Sequence, residues 1–286
     1  MTYETAEALR MALEQRLNNR SRETGISLDR LRRRVVFERI VARLAHAEPG
    51  RWVLKGGMAL EVRLRDQARL TKDIDLGLRD GVNEQAELHE RLVEALAADP
   101  FNDRFVLVAG PVTELSPDGG GHTTWRSSVA AQLAGRPFGG VQIDVSPRAH
   151  ELDLTDTVAL PNSLAFADIE APAVEIIDVN RHAAEKFHAM LRQFDDRENT
   201  RVRDLLDLVL LIENELLDRP AMASAVRDVW QERDATARPK ELAVLPASWP
   251  DRYERLAAEH DVTALTFPAA VALVTALWTD LTIEET

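Results

Sequence analysis

The sequence predicts an α+β chain, with a mixed sheet and its helices in an N-terminal lobe and an all-helical lobe behind it. Three observations carry this expectation. Apolar residues recur at helical spacing up to about residue 48 and again from about 176 onward. Between 50 and 150 the apolar runs are short and punctuated by glycine and proline, as strands are. A proline-bounded stretch at 161–172 offers a linker. The expected division is therefore 1–160, with a helical lead-in over 1–48 and an α/β core over 50–150, followed by 161–286.

Ala6, Leu9, Leu13 and Leu17 follow helical spacing, as do Leu28, Leu31 and Val35 and later Phe37, Ile40, Val41 and Leu44, in a second helix that Pro49 and Gly50 stop. Residues 52–54 form an apolar strand that runs into Gly56 and Gly57, and 58–64 is helical. Asp73, Ile74, Asp75, Leu76, Gly77 and Leu78 alternate as a strand does. Asn83 is placed to cap a helix reaching about Ala98. Strands are expected at 105–108, 122–129 and 141–145, with turns at 117–121 and 135–140. Helices return over 176–215 and 222–231, then from Pro268, and 239–250 is expected as loop.

Composition narrows the function classes. The chain of 286 residues has no cysteine, which excludes disulfides, cysteine-held zinc and thiolate chemistry. No apolar run approaches the ~20 residues a membrane helix needs, and the first ten residues are charged, so a cytoplasmic protein with no membrane partner is expected. A formal net charge of −13 argues against indiscriminate nucleic-acid binding. Only Lys55, Lys72, Lys186 and Lys240 are lysines among 35 basic residues. The run Arg30, Arg32, Arg33, Arg34, Arg39 and Arg43 is where an RNA phosphate track is expected, with Arg197, Arg201 and Arg203 as a second basic rim. There is no histidine pair spaced for zinc, no Gly-x-Ser-x-Gly, no Walker A sequence and no Gly-x-Gly-x-x-Gly.

One constellation carries chemistry. A strand ending in Gly56-Gly57 and feeding a helix lets backbone N–H groups approach a phosphate, with the helix dipole in support. Asp73 and Asp75 project from one strand face, where two carboxylates repel unless a cation such as Mg²⁺ (or Mn²⁺) lies between them. Together these are the parts of nucleotidyl transfer from an NTP. Lys55-Gly56-Gly57-Met58-Ala59-Leu60, followed by Arg69-Leu70-Thr71-Lys72-Asp73-Ile74-Asp75, resembles the first motif of the AbiEii nucleotidyltransferase toxins. These belong to the DNA polymerase β-like nucleotidyltransferase superfamily and include the mycobacterial MenT toxins. Two departures from the wider superfamily, a second glycine in place of serine and 15 residues between Gly57 and Asp73, are usual in the AbiEii branch.

The resemblance gives the N-terminal lobe a nucleotidyltransferase fold and puts Lys55, Gly56, Gly57, Arg69, Thr71 and Lys72 around the phosphates. The superfamily usually adds a third acid from a neighbouring strand, for which Asp144 is the metal-ligand candidate beside Asp73 and Asp75; as a bare strand-end residue it would instead cap a turn at Ser146-Pro147. Asp153 and Asp156 are poorer candidates. Some relatives are silenced by modification at the position of Thr71, where a phosphoryl group would set about two negative charges beside the metal site.

A second stretch, Glu185-Lys186-Phe187-His188-Ala189-Met190-Leu191-Arg192 and then Arg203-Asp204-Leu205-Leu206-Asp207-Leu208, resembles the downstream AbiEii signature. Lys186 and Arg192 are six residues apart and cannot share a helix face, so Lys186 is the better candidate for the triphosphate, while Arg192 is assigned to phosphate or to organising acids. Asp204 and Asp207, at i,i+3, do share a face; alone they read as solvated acids paired with arginines. The resemblance makes Lys186 and Asp207 catalytic with Asp73 and Asp75, Asp204 being the close alternative, in a cleft between the lobes. It further implies NMP transfer to the 3′ end of tRNA, a toxin role and a cognate AbiEi-like antitoxin partner. The alternatives are transfer to a protein or small-molecule hydroxyl, and a non-catalytic nucleotide-binding relative.

Overall fold

The computed structural model describes residues 3–69, 71, 73–80, 82, 84–115, 123–146, 152–260 and 262–283. Lys72, Asn83 and the turn expected at 117–121 lie outside the described residues. The chain divides into two compact units, Met1–Val62 with Leu70–Ile176, and Arg63–Arg69 with Ile177–Thr286. The junction lies later than the expected 160/161. The reason is that the last strand of the sheet, β8 (Ala173–Ile177), pairs in parallel with β1 (Trp52–Lys55). The expected linker is packed too: Leu164, Ala167 and Ile169 are buried.

The first unit opens with α1 (Ala6–Thr24), whose cap Thr5 accepts the Ala8 N–H, and which Gly25 ends in the left-handed region at φ 74°. α2 (Leu28–Ala47) is buried on every side over 35–44, the mark of a helix at the centre of a core. After β1 come α3 (Gly56–Leu64), β2 (Asp73–Leu78), α4 (Gln85–Ala97), β3 (Phe105–Ala109), β4 (Thr113–Leu115), β5 (Thr124–Leu133), β6 (Arg136–Ser146) and β7 (Thr155–Ala159). The sheet order is β3-β5-β6-β2-β1-β8-β7, with β4 also on β5. Helices α1, α2 and α4 cover one face, where Phe105, Leu107, Val129, Leu133, Ile143 and Val145 are buried. The alternate residues Val106 and Val108 stand exposed on the other.

The β5–β6 hairpin differs from expectation. Only Ala134 and Gly135, both at positive φ, form its turn, and 136–140 continues as strand. Register shifts by one residue between Ala131 and Gln132, a β-bulge that skips Phe138.

The second unit holds α5 (Val179–Leu191), α6 (Val202–Glu213), α7 (Arg219–Asp234), α8 (Trp249–Ala257) and α9 (Phe267–Ile283). Phe187, Trp249, Tyr253 and Trp278 are buried at its centre. Asn199 donates to the carbonyls of Ala189, Met190 and Arg192 and so closes the C-terminus of α5.

α2 also buries charge. Arg43 donates to the Leu96 and Phe105 carbonyls and to Asp103, which is itself inaccessible. Glu38 accepts both the N–H and the hydroxyl of Ser163 at 2.8 Å, and burial pushes its carboxyl up to about 7. A raised carboxyl pKa means that the folded chain takes up the proton first. Glu38 thus favours folding fully below its ordinary pKa of 4.5, and that contribution is lost as pH rises through about 7. Glu38→Gln keeps the Ser163 bonds without the charge. Relative to it, the wild type should lose on the order of 2–3 kcal/mol between pH 4.5 and pH 8 in denaturant titrations; parallel curves would refute this.

Candidate active site

β2 runs between β1, antiparallel to it, and β6, parallel to it. Register sets Lys55 opposite Asp75, Asp75 beside Asp144, and Asp144 opposite Arg126. Paired residues share a sheet face, so a row of charge, two neighbouring acids flanked by two cations (Lys55, Asp75, Asp144, Arg126), crosses four neighbouring strands. Asp73 is two residues along on the same face, beside Gln142. The opposite face carries Ile74, Leu76, Ile143 and Val145, all at most 2% exposed.

Gly56 begins α3 at φ 57°, and a Cβ built on it would lie 1.8 Å from Asp75 Oδ2. Only glycine lets the helix start directly against the carboxylate. The free N–H groups of the first turn of α3 therefore open beside Asp75, with Lys55 and Gly57 on either side of Gly56. Thr71 donates its hydroxyl to the carbonyl of Asp73 at 3.3 Å, at the start of β2.

Asp144 is held by a residue the sequence reading passed over. Arg126 Nε and Nη2 each donate to one of its carboxylate oxygens at 2.7 Å. The bond to Asp144 raises the Arg126 pKa above its ordinary value against partial desolvation, and the charges of Asp144, Asp73 and Asp75 add to it. Among the described residues no three histidine or carboxylate side chains converge as a metal site. Asp73 and Asp75 do fit one small divalent ion, since Mg²⁺ is commonly held by one or two carboxylates with substrate phosphates completing the shell.

The second motif lies wholly in the second unit. Lys186 on α5 donates to Asp204 at 3.1 Å and to Asp207 at 2.6 Å, both on one face of α6. Arg69, which also belongs to this unit, clamps Asp207 from Nε and Nη2 at 2.7 and 2.9 Å. Asp207 is fully buried, and Lys186 and Asp204 nearly so. The cluster is electroneutral, two cations against two acids. Burial alone would lower the Lys186 pKa, but Asp207 and then Asp204 outweigh it and raise it. Burial would raise Asp207; Lys186 and then Arg69 instead hold it below the ordinary carboxylate value. Asp207 therefore fixes two cations in place, and this pairing of Arg69 was not foreseen.

Arg192 stands at the end of α5, exposed, with its guanidinium over the Phe194 ring, where Arg197 also stacks. The arginine run of α2 is no solvent-facing track. Arg39 and Arg43 are buried, Arg32 is paired to Glu14, Arg33 to Asp29 and Arg34 to Glu61.

Carboxylates beside a glycine-started helix, on a mixed sheet, are the arrangement that nucleotidyl transfer calls for. Residues 39–273 match the family described as Nucleotidyl transferase AbiEii toxin, Type IV TA system, and the chain belongs to it. It is thus a nucleotidyltransferase of a toxin–antitoxin family, and membership implies an NTP substrate and an antitoxin partner. Among solved structures, the chain is similar to MenT4, a nucleotidyltransferase toxin of Mycobacterium tuberculosis H37Rv, with 18% identity over 94% of this chain and 89% of that one, and a TM-score of 0.61. That likeness shows the fold. JHP933 from Helicobacter pylori is similar at 17% identity over 91% of this chain and 96% of that one, TM-score 0.48. No curated protein matches the chain. No helix among the described residues is long and apolar enough to cross a membrane.

Two outcomes are expected. Gly56→Ala should lower NTP-dependent pyrophosphate release by about 100-fold or more, because displacing Asp75 by an ångström misplaces the site; activity near wild type would refute the packing argument. Asp207→Asn should cost about 3–5 kcal/mol in urea unfolding at neutral pH, since it leaves buried cations uncompensated. Asp207 has a depressed pKa, so its contribution is present above its ordinary value of 3.8 and is lost only as pH falls below that. The gap between wild type and variant should stay level from pH 5 to 9 and close only in stronger acid. Lys186, with a raised pKa, keeps its contribution until pH passes above 10.5.

Proposed function

We propose that the chain transfers NMP from an NTP to an acceptor hydroxyl, releasing pyrophosphate, with a divalent ion (Mg²⁺ or Mn²⁺) held by Asp73 and Asp75. The observation that carries this reading is the direct approach of the α3 N-terminus to Asp75 through Gly56. A phosphate acceptor and a metal-type carboxylate pair lie side by side there. Such an ion, when bound, offsets triphosphate charge and polarises the attacking hydroxyl. The first-turn N–H groups of α3 and Lys55 receive phosphate oxygens. Lys186, fixed by Asp204 and Asp207, and Arg69, fixed by Asp207, are the cations we assign to the triphosphate in the same reaction. Lys72 and Arg192 are secondary phosphate contacts in this reading.

The acceptor we favour is the 3′ end of tRNA, in the cytoplasm, under control of an AbiEi-like antitoxin. Family membership supports the toxin setting. Thr71 suits an off-switch, since its hydroxyl lies against the backbone of Asp73 and a phosphoryl group there would crowd the carboxylates with negative charge. One observation favours a second acceptor class, a protein or small-molecule hydroxyl: the arginines of α2 are buried or paired rather than presented as a phosphate track.

Incubation with Mg²⁺, total tRNA and each labelled NTP in turn separates the two. Label should enter tRNA from at least one NTP and vanish in Asp73→Ala, together with any growth inhibition. Label in protein or small molecules but never in tRNA would move the acceptor to the second class. Full labelling by Asp73→Ala would sink the site itself.

A further inference from the structure

The third carboxylate of the first unit is not placed as a free ligand. Asp144 is next to Asp75 in register, and neighbouring strands are about 4.8 Å apart, so three acids crowd one face of two strands. Left alone, they would call for more positive charge than one divalent ion supplies. The fold provides that charge from the other side. Arg126, opposite Asp144 on β5, engages both of its oxygens in a fork at 2.7 Å, the geometry in which guanidinium and carboxylate match best. The bulge in the β5–β6 hairpin creates this pairing. Carried back from the turn without the shift, the register would set Asp144 opposite Trp125.

We propose that Arg126 is a built-in cation of the active site, that it keeps Asp144 out of metal binding, and that Asp73 and Asp75 therefore hold a single divalent ion. This rests on the metal reading of Asp73 and Asp75. Asp73, Asp75, Asp144 and Arg126 together leave two net negative charges, which Lys55 opposite Asp75 reduces further, so one divalent ion is enough to balance the group. The charges of Asp73 and Asp75, after that of Asp144, act on Arg126, so its charge in turn is felt across the whole group. Where a second ion would offset charge beside Asp144, the guanidinium does so permanently, whether or not nucleotide is bound. Arg126 is a positioning residue for Asp144, and its side chain is about one-third exposed, 35%. An Arg126 that swung away when metal arrives would free Asp144 as a ligand, and this is the arrangement the test must tell apart.

The test titrates the full chain with Mn²⁺ and reads free ion by electron paramagnetic resonance. Site ions are counted as those lost on Asp73→Asn, and circular dichroism checks the fold of each variant. The wild type should hold one such ion. Asp144→Asn should hold one with affinity changed by no more than about twofold. Arg126→Gln, which releases Asp144, should hold two, and Arg126→Lys should return to one. Two site ions in the wild type, or a tenfold or greater loss of affinity in Asp144→Asn, would overturn the proposal while leaving the Asp73–Asp75 site standing. A single ion in folded Arg126→Gln would overturn it as well. If Asp73→Asn removes no Mn²⁺ at all, the metal reading and this proposal fall together. The Asp144→Asn arm decides the question even if Arg126→Gln does not fold.

Discussion

The register of β2 is the constraint on which the first unit depends. Its side chains alternate between a buried apolar face and a face that carries the carboxylates Asp73 and Asp75, so a slip of one residue would exchange them. Ile74 and Leu76 would then lose burial worth about 1.5–3 kcal/mol each, and two carboxylates would enter an apolar layer, at several kcal/mol more. The geometry of the candidate site is thus enforced by the same energy that folds the sheet. Gly56 completes it: α3 can begin against Asp75 only because nothing projects from its first residue. Where β1 ends, the backbone turns at once into a helix whose free N–H groups and the β2 carboxylates occupy one small region.

The second unit solves a different problem. Four charged groups lie largely out of water, a costly situation unless every charge is matched and bonded. Here Asp207 takes the Arg69 fork on two oxygens and Lys186 on one of them, while Asp204 takes the second Lys186 bond. Removing any one member leaves the cluster with one unbalanced charge largely out of water. Such a cluster contributes little net stability over an apolar packing of equal volume; what it provides is position, because two cations are held by the acids of α6 with little freedom. The directions of the Lys186 and Asp207 shifts, both toward the ionised form against burial, show the charges to be sustained by each other.

Much of this was legible in the sequence. Helical periodicity placed α1, α2 and the main second-unit helices, and Gly56-Gly57 with Asp73-Ile74-Asp75 pointed to the candidate site because strand alternation and backbone freedom are local properties. What stayed hidden depends on pairing between distant segments. Gly139 and Gly140 look like turn residues, yet they lie within β6, and Gly139 is where Val36 of α2 closes to 3.3 Å of a would-be Cβ. The bulge near Phe138 decides that Asp144 meets Arg126 rather than Trp125, and nothing local announces a one-residue shift. β7, β8 and α8 were missed for a related reason: a short strand such as Ala173–Ile177 is stabilised by its neighbour β1 more than by its own pattern.

The arginine run shows the limit of composition most clearly. A cluster of basic residues in an acidic chain suggested a phosphate track, but guanidinium groups here mostly serve the interior. Arg43 ties three elements together, Arg32 and Arg34 bind acids from α1 and α3, and Arg91 binds Glu48 while stacking near Trp52. An ever-charged, forked donor suits that work better than lysine does. The two kinds of cation are used differently in the two motifs: Lys186 shares its compact charge between two acids of α6, whereas Arg69 and Arg126 each hold one acid in a two-point fork. Recognition of the acceptor then cannot rest on bulk attraction by a chain of net charge −13. It must come from local donors and from shape, which leaves the nucleotide as the ligand whose binding the described charges explain best.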